Sequence, residues 1–471
     1  MKDFNDIQRI YFIGIGGIGM SALARYFNFH GKKVSGYDKT ETVLTKQLES
    51  EGIRIHYEDT VELADKEASI VVFTPAIPAS HQELSFFRQN NYLLLKRSEV
   101  LGLITKSSFN ICVAGTHGKT TITAMIAHVL RHSGYGCNAF LGGIAVNYNS
   151  NYWSDERNVC VIEADEYDRS FLKLSPDIAV ITAMDADHLD IYGTPDAFEN
   201  TFIEFSGKLK ENGVLFSKFG LQRGRELKGT HKITYSLQND EADLYASNIQ
   251  MQNGSYTFDV HSNDWMLDRV VLNMGGMHNV ENCVAAIGVA YKLGIADEKI
   301  CEAVKAFKGV KRRFEYVIKT ENIVFVDDYA HHPEELKVLL TGAKSLFSSL
   351  KCTVIFQPHL FSRTRDFADG FAESLDLADE IILLPIYPAR ELPIEGITSE
   401  MLLSKIKNPY KQVFSKEELI KWVKEMIDGK NLVDGNILAG ENTNQGRLII
   451  TAGAGDIDAM VMQIKKIIEL V

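Results

Sequence analysis

The sequence predicts an α/β protein built from three domains in series. A chain of 471 residues is too long for one hydrophobic core. Short apolar runs alternate with helical patterns along most of its length, which is typical of sheets covered by helices. Glycine-rich turns follow two of these runs, at residues 14–19 and 115–118, where open α/β sheets bind ligands.

Composition excludes several classes of function. Hydrophobic residues make up 45% of the chain and charged residues 24%, as in soluble globular proteins. The net charge of −12, with no basic stripe, argues against a nucleic-acid partner. The six cysteines are scattered without a CxxC pair, which indicates free thiols in a reducing compartment. The polar start of the chain and the lack of a long apolar run predict no signal peptide and no membrane partner, and hence a cytoplasmic protein.

Strand and helix patterns divide the chain into residues 1–107, 108–311 and 312–471. Strands are expected at residues 9–15, 33–37, 69–74 and 92–95 of the first domain, with helices at 20–30 and 99–106. In the second domain they are expected at 109–113, 159–162 and 178–182, followed by a β-rich insertion at 215–272 and a helix at 279–293. In the third they are expected at 324–326, 352–356, 380–384 and 447–451, before a closing helix at 456–470.

The most informative motif is Ala-Gly-Thr-His-Gly-Lys-Thr-Thr at residues 114–121, between a strand and a helix. This arrangement predicts a phosphate-binding loop, in which backbone N–H groups and the helix N-terminus surround phosphate oxygens. Lys119 can reach the β- and γ-phosphates, and the Thr120 hydroxyl can bind Mg²⁺. Val113 stands where the commonest spacing has glycine. We expect ATP as the ligand, bound by Gly115, Thr116, His117, Gly118, Lys119, Thr120 and Thr121.

The earlier motif, Gly-Ile-Gly-Gly-Ile-Gly, follows the first strand and opens a helix. Asp38 follows the second strand, as a ribose-binding acid does. Taken alone the motif suggests NAD. Because it reports only a pyrophosphate near a helix N-terminus, a UDP-linked ligand fits equally well.

Five further polar motifs lie at strand ends or helix starts. Two acidic clusters, at residues 163–168 and 185–190, fall at the same sheet edge as the phosphate loop and suit Mg²⁺ coordination. The asparagines of residues 278–282 could cap a helix or bind a purine. In the third domain, residues 327–333 (Asp-Asp-Tyr-Ala-His-His-Pro) and 357–365 end two strands, and Arg363 and Arg365 could each hold a carboxylate.

Together with Gly-Ala-Gly-Asp at 453–456, this ordered series of motifs resembles the Mur ligases. The resemblance implies a Rossmann-like N-terminal domain, a central P-loop ATPase domain and a Rossmann-like C-terminal domain. It also implies ATP and Mg²⁺ as cofactors, and peptidoglycan synthesis in a bacterial cytoplasm. Within the family the motifs are most similar to those of members that join L-alanine to UDP-N-acetylmuramate through an acyl phosphate.

The resemblance also implies roles for individual residues. Lys119, His188, His332 and His359 would be catalytic, and Thr120, Glu163 and His188 would hold the metal. The nucleotide would also contact Asn279, Asn282, Arg313 and Asp328. The substrates would contact Gly16, Gly17, Gly19, Asp38, Thr74 and Arg97 on the UDP-sugar side, and Tyr329, His359 and Arg363 on the alanine side.

Some positions depart from the family pattern, and some alternatives stay open. Ala183 stands where many relatives have asparagine, and Leu360 replaces an arginine found after Gln-Pro-His in some relatives. With no lysine between His188 and Lys208, a carbamylated lysine is not expected there. Either His359 or His332 could accept the proton of the amine. The rival functions are a ligase that recycles a tripeptide onto the same UDP-sugar, a nicotinamide oxidoreductase, and a regulatory ATPase.

Overall fold

The polypeptide forms three main β-sheets with associated helices, which confirms the predicted α/β class. This computed structural model describes residues 7–74, 76–186, 189–389, 391–427, 432–433, 436–437 and 446–470. Within those ranges, no helix has both the length and the apolar character needed to cross a bilayer.

The first sheet is parallel throughout, with strand order β3-β2-β1-β4-β5. Its strands are β1 (Arg9–Ile13), β2 (Lys33–Tyr37), β3 (Arg54–His56), β4 (Ile70–Phe73) and β5 (Leu94–Lys96). The helices of this region are α1 (Ile18–Phe29), α2 (Val43–Ser50), α3 (Gln82–Gln89) and α4 (Arg97–Ser107). Both faces of β1 are buried, since Ile10 and Phe12 join one apolar cluster while Tyr11 and Ile13 join another. Burial on both faces explains why the strand reads as a continuous apolar run.

The central sheet contains strands β6 to β15. They are β6 (Phe109–Ala114), β7 (Asn138–Ala145), β8 (Ser150–Trp153), β9 (Val159–Glu163), β10 (Ile178–Ile181), β11 (Val214–Lys218), β12 (His231–Ser236), β13 (Leu244–Gln252), β14 (Ser255–Ser262) and β15 (Trp265–Leu272). The helices are α5 (Lys119–His132), α6 (Leu189–Tyr192), α7 (Pro195–Ser206), α8 (Met277–Lys292) and α9 (Asp297–Ala306).

Strand order in the central sheet is β15-β14-β13-β12-β11-β10-β6-β9-β7-β8. The strands of the predicted β-rich insertion, at residues 215–272, continue the central sheet. β6 lies between β9 and β10 and is parallel to both. The carboxyl ends of these three strands therefore meet at one edge, beside the glycine loop that follows β6.

The third sheet has the order β16-β17-β23-β18-β19-β20, in which β16 alone is antiparallel to its neighbour. The strands of this region are β16 (Glu315–Lys319), β17 (Ile323–Asp328), β18 (Lys351–Phe356), β19 (Glu380–Leu383), β20 (Lys411–Val413), β21 (Leu432–Val433), β22 (Asn436–Ile437) and β23 (Arg447–Ala452). The helices are α10 (Pro333–Leu346), α11 (Phe361–Asp366), α12 (Ala368–Leu375), α13 (Ser399–Lys405), α14 (Lys416–Ile427) and α15 (Asp458–Ile468).

The chain divides into two compact units. The first comprises the described residues up to Asn248 together with Phe258–Val270 and Val280–Phe307. The second comprises Ile249–Thr257, Val271–Asn279 and the described residues from Lys308 onward. The predicted boundaries after residues 107 and 311 stay predictions.

Within the first unit, hydrogen bonds join α1 to the β7–β8 hairpin. Arg25 donates to the Asn151 Oδ1 at 2.6 Å and forms an ion pair with Glu51 at 2.7 Å. The Asn151 amide donates in turn to the carbonyl of Ile18 and to the Ser21 hydroxyl. Arg25 and Asn151 are 7% and 0% exposed, so each polar group needs the other as a partner. These bonds fix the start of α1, which directly follows the first glycine motif.

Candidate active site

The glycine loop after β6 has the backbone conformation that its glycines allow. Gly115 and Gly118 have φ of +134° and +77°, values that other residues rarely adopt. A Cβ on Gly115 would lie 2.0 Å from the Thr182 hydroxyl oxygen. That hydroxyl donates to the carbonyl of His117. Lys119, which follows Gly118, begins α5. The loop therefore presents backbone N–H groups at a helix N-terminus, as predicted.

The lysine of this loop has two partners. The Lys119 ammonium donates to the carbonyl of Gly115 at 2.6 Å and to a Glu166 carboxylate oxygen at 2.8 Å. The Lys119 side chain is 14% exposed and that of Glu166 only 3%. A cation is thus held in the loop, where it would balance the charge of a bound phosphate.

Glu163, at the end of β9, faces the first turn of α5. Its carboxylate accepts the Thr120 hydroxyl at 3.0 Å and the Gly142 N–H at 2.8 Å. Burial raises the pKa of Glu163, and the nearby Lys119 and the Thr120 hydrogen bond oppose that rise. Two oxygen donors on adjacent elements suit Mg²⁺. No group of three or more His, Cys, Asp or Glu side chains with metal-binding geometry occurs in the part of the chain that the structure describes.

The structure describes part of the second acidic cluster, residues 185–190. Asp187 and His188, the latter predicted to hold the metal, lie outside the described residues. The Thr116 hydroxyl donates to the carbonyl of Asp185 at 2.8 Å. The carbonyl of Ala183 accepts the Thr116 N–H at 3.2 Å, a contact that needs no asparagine side chain.

The two asparagines of α8 occupy different surroundings. The Asn279 amide donates to the carbonyl of Gly275 at 2.6 Å and thereby holds the turn that precedes the helix. Asn282, one turn later, lies against the glycine loop, since a Cβ on Gly118 would be 2.8 Å from its Oδ1. Asn282 is therefore the asparagine that the structure brings to the phosphate loop.

The first glycine motif lies close to the other residues predicted for its ligand. The Gly16 N–H donates to the Asp38 carboxylate at 2.7 Å. A Cβ on Gly14 would lie 3.2 Å from the Thr74 methyl group, and one on Gly19 would lie 2.6 Å from Arg97. The predicted residues Gly16, Gly17, Gly19, Asp38, Thr74 and Arg97 thus surround one glycine turn.

Arg97 also contacts the central sheet's acidic cluster, through an ion pair with Asp165 at 3.4 Å.

In the second unit, Asp328 ends β17 and is held by backbone. It accepts the N–H groups of Phe314 at 2.7 Å and Ala330 at 2.8 Å. Burial raises the pKa of Asp328 to about 6, although these hydrogen bonds and Arg313 favour the charged form. The guanidinium of Arg313 lies 5.7 Å from the centre of the Tyr329 ring. Asp328, Arg313 and Tyr329, which were all predicted site residues, are therefore neighbours.

Three predicted residues of this unit remain. His359 and Arg363 form one group, and His332 has different surroundings. His359 Nδ1 and one terminal nitrogen of Arg363, Nη1, are buried without a hydrogen-bond partner among the described residues. Burial lowers the pKa of His359, and the charge of Arg363 lowers it further. The His331 ring lies 6.3 Å from that of His359. His332 instead packs on Phe367 at 4.7 Å.

Sequence reasoning missed several residues of these sites. Gly142, Thr182 and His331 were given no role, and Glu166 was noted only as part of an acidic run. The pair Gly142-Gly143 inside a strand was an available signal, because strand glycines often mark a close backbone approach. The Lys119–Glu166 contact spans 47 residues of sequence and carries no local signal.

Comparison with known proteins agrees with the motifs. Residues 9–108 match the model described as "Mur ligase family, catalytic domain", residues 113–290 the Mur ligase middle domain, and residues 312–455 the model described as "Mur ligase, glutamate ligase domain". The UDP-N-acetylmuramate–L-alanine ligase of Flavobacterium johnsoniae is 47% identical over 470 residues, covering 99% of each chain. That of Cytophaga hutchinsonii is 46% identical, covering 98% of this chain and 97% of its own.

A solved structure is also similar over nearly the whole length. The crystal structure of the UDP-N-acetylmuramate-alanine ligase of Thermotoga maritima superposes with a TM-score of 0.79 at 28% identity, covering 97% of this chain and 98% of that one. The matches extend across all three sheets, and they include the strand-end motifs described above. The chain belongs to the Mur ligase family.

Proposed function

We propose that this chain joins L-alanine to the lactyl carboxylate of UDP-N-acetylmuramate, using ATP and releasing ADP and phosphate, in cytoplasmic synthesis of peptidoglycan precursors. The relatives named for this reaction match the chain over almost its full length. The observation that carries the proposal is the glycine loop with Lys119 at the start of α5 and the Thr120–Glu163 pair beside it.

The chemical problem is to make an amide from a carboxylate in water. A carboxylate is a poor electrophile, because its charge repels a nucleophile and oxide is a poor leaving group. Phosphorylation of the lactyl carboxylate by ATP gives an acyl phosphate, whose phosphate leaves when the amine of L-alanine attacks. The protein's task is to position the reactants and balance charge, and Lys119 and Arg313 suit it.

Magnesium fits the oxygen donors beside the loop. Thr120 and Glu163, together with His188, would hold the ion, which supplies charge neutralisation at the phosphates when bound. Asn282 and Asp328 would contact the nucleotide.

The attacking amine must lose a proton, and His359 suits that role better than His332. Burial and the charge of Arg363 lower the pKa of His359, which favours the neutral ring that a proton acceptor requires. Its Nδ1 has no partner among the described residues, and neither does Arg363 Nη1. The guanidinium of Arg363 would bind the carboxylate of L-alanine, next to the histidine that takes the proton from its amine.

The glycine turn of the first sheet would hold the UDP-sugar. The Gly16–Asp38 contact is equally compatible with NAD, so the choice of UDP rests on the relatives. Calorimetric titration with UDP-N-acetylmuramate and with NAD distinguishes the two ligands. Binding of NAD alone would favour a nicotinamide oxidoreductase.

The decisive assay measures phosphate release with ATP, Mg²⁺, UDP-N-acetylmuramate and one amino acid at a time. We expect release with L-alanine only when the UDP-sugar is also present. Release that needs neither substrate would indicate a regulatory ATPase, and release that requires a tripeptide would indicate the recycling ligase. Lys119→Ala should nearly abolish the reaction while leaving the circular dichroism spectrum unchanged.

A further inference from the structure

We propose that Glu166 is a positioning residue for Lys119: its carboxylate holds the lysine ammonium at the centre of the glycine loop, ready for the phosphates of the nucleotide. The proposal rests on the proposed nucleotide site but not on the identity of the amino acid. It gives a function to a carboxylate that lies three residues after Glu163 and takes no part in the Thr120 contact.

The contact between the two side chains is short and shielded. The Lys119 Nζ lies 2.8 Å from one Glu166 oxygen, and the two side chains are 14% and 3% exposed. The Coulomb attraction between charges this far from water is much stronger than at the surface, because screening is weak. The second Glu166 oxygen is buried without a hydrogen-bond partner among the described residues. In the described part of the chain, then, Lys119 is the one side chain that satisfies this carboxylate.

The backbone of Glu166 is fixed from several directions. Its carbonyl accepts the hydroxyl of Tyr192 and the N–H of Arg169 at 2.9 Å. Asp168 and Arg169, which follow it, have φ of +51° and +56°, so the chain turns sharply here. The Arg169 guanidinium lies 5.5 Å from the centre of the Tyr192 ring. A carboxylate mounted on so constrained a turn can define the position of a flexible lysine side chain.

This arrangement has opposite effects on binding and on catalysis. Glu166 places a negative charge near the expected phosphates, which opposes nucleotide binding. Glu166 also restricts the Lys119 side chain, which would otherwise sample many rotamers. A fixed ammonium group favours charge balance during phosphoryl transfer. Removing its charge should therefore leave nucleotide affinity equal or tighter while turnover falls. A residue that served only to stabilise the fold would weaken both.

The test uses Glu166→Gln in the full-length protein. We expect kcat to fall about tenfold or more, while the Kd of a non-hydrolysable ATP analogue stays equal or becomes several-fold tighter. Lys119 should also react several-fold faster with a lysine-methylating reagent, read by peptide mass spectrometry, because its partner is lost. Glu166→Asp, which keeps the charge on a shorter side chain, should recover part of the turnover.

Asp177→Asn is the matched control. Asp177 pairs with Lys210 at the same distance of 2.8 Å, but it directly precedes β10 and so lies at the opposite end of that strand from the loop. This variant should raise the reactivity of Lys210 and leave that of Lys119 unchanged.

The proposal is overturned if Lys119 reactivity does not change in Glu166→Gln, if kcat is unchanged, or if analogue affinity falls together with thermal stability. If Glu166→Gln does not fold, the same measurements on Glu166→Asp decide. Labelling and analogue binding need no ligation, so an enzyme that fails to ligate L-alanine would refute the proposed function without affecting this result.

Discussion

A methyl group on Gly118 would lie 2.8 Å from the side-chain oxygen of Asn282, so the phosphate loop and α8 meet without space between them. Gly118 also has φ of +77°. Two independent constraints therefore require glycine at this position: the backbone conformation and the closeness of a neighbouring side chain.

Gly118→Ala should weaken nucleotide binding at least tenfold. The left-handed backbone costs roughly 1–2 kcal/mol with a Cβ, and the contact with Asn282 adds a displacement of the loop. Gly134→Ala is the matched control, because Gly134 has the same φ of +77° and nothing within 4 Å of its Cβ position. Calorimetry with an ATP analogue measures both. Equal losses in the two variants would show that backbone strain alone is responsible.

Glu163→Gln should raise the Mg²⁺ concentration needed for half-maximal activity by a large factor. The amide keeps the size of the side chain and can still accept from Thr120 and Gly142, but it removes the charge that would attract the cation. A Mg²⁺ titration of initial rates is the measurement. Glu156→Gln, at an exposed position, serves as the control. If the two titrations coincide, Glu163 is not a metal ligand.

Arg363→Lys should raise the KM for L-alanine strongly and change the KM for ATP little. Lysine keeps the charge but loses the planar fork that binds a carboxylate through two hydrogen bonds. Arg365→Lys is the control, since Arg365 is about half exposed and pairs with Asp366 at 2.7 Å. Steady-state kinetics decide between the two. A defect of equal size for ATP would place Arg363 near the phosphates instead.

The effect of Asp327→Asn on the free energy of unfolding, relative to the unmodified protein, should be more favourable at pH 8 than at pH 5. Burial raises the pKa of Asp327 to about 7, above its ordinary value near 4, so the folded state binds a proton that the unfolded state lacks between those values. Stability contributed by this group is therefore lost as pH rises through about 7.

The asparagine variant has no such proton to lose and can still accept from the Thr451 hydroxyl, which lies 2.6 Å from Asp327. The gain at pH 8 over pH 5 should be about 2–3 kcal/mol, since the folded state holds the extra proton over about two pH units of that interval. Denaturant unfolding at the two pH values measures it. Parallel pH profiles for the two proteins would contradict the assignment.

The sequence predicted which motifs come together, because strand ends can be recognised from the sequence pattern. Parallel strands bring their carboxyl ends to one edge, so motifs 43 residues apart, such as Thr120 and Glu163, come within 3.0 Å. The same reasoning succeeded for Gly16 and Asp38. In each case the partners follow strands that pair in the sheet, and local pattern was sufficient.

Partnerships that depend on tertiary packing could not be predicted. Nothing local links Arg25 to Asn151, which are 126 residues apart, or identifies Glu166 as the partner of Lys119. The choice among adjacent histidines was equally inaccessible, because it depends on where α10 begins. His332 precedes the first residue of that helix and faces Phe367, whereas the preceding residue, His331, lies near His359.

The hydrogen bonds from α1 to the β7–β8 hairpin bear on how the protein could be divided experimentally. A fragment beginning at residue 108 would retain the complete phosphate loop, yet it would expose Asn151 and Tyr152, which are 0% and 5% exposed in the intact chain. Its aromatic surface would also lose Tyr26, whose ring lies 5.4 Å from that of Phe140. The nucleotide-binding part should therefore aggregate when it is produced alone, and truncation studies should retain the first sheet as its cover.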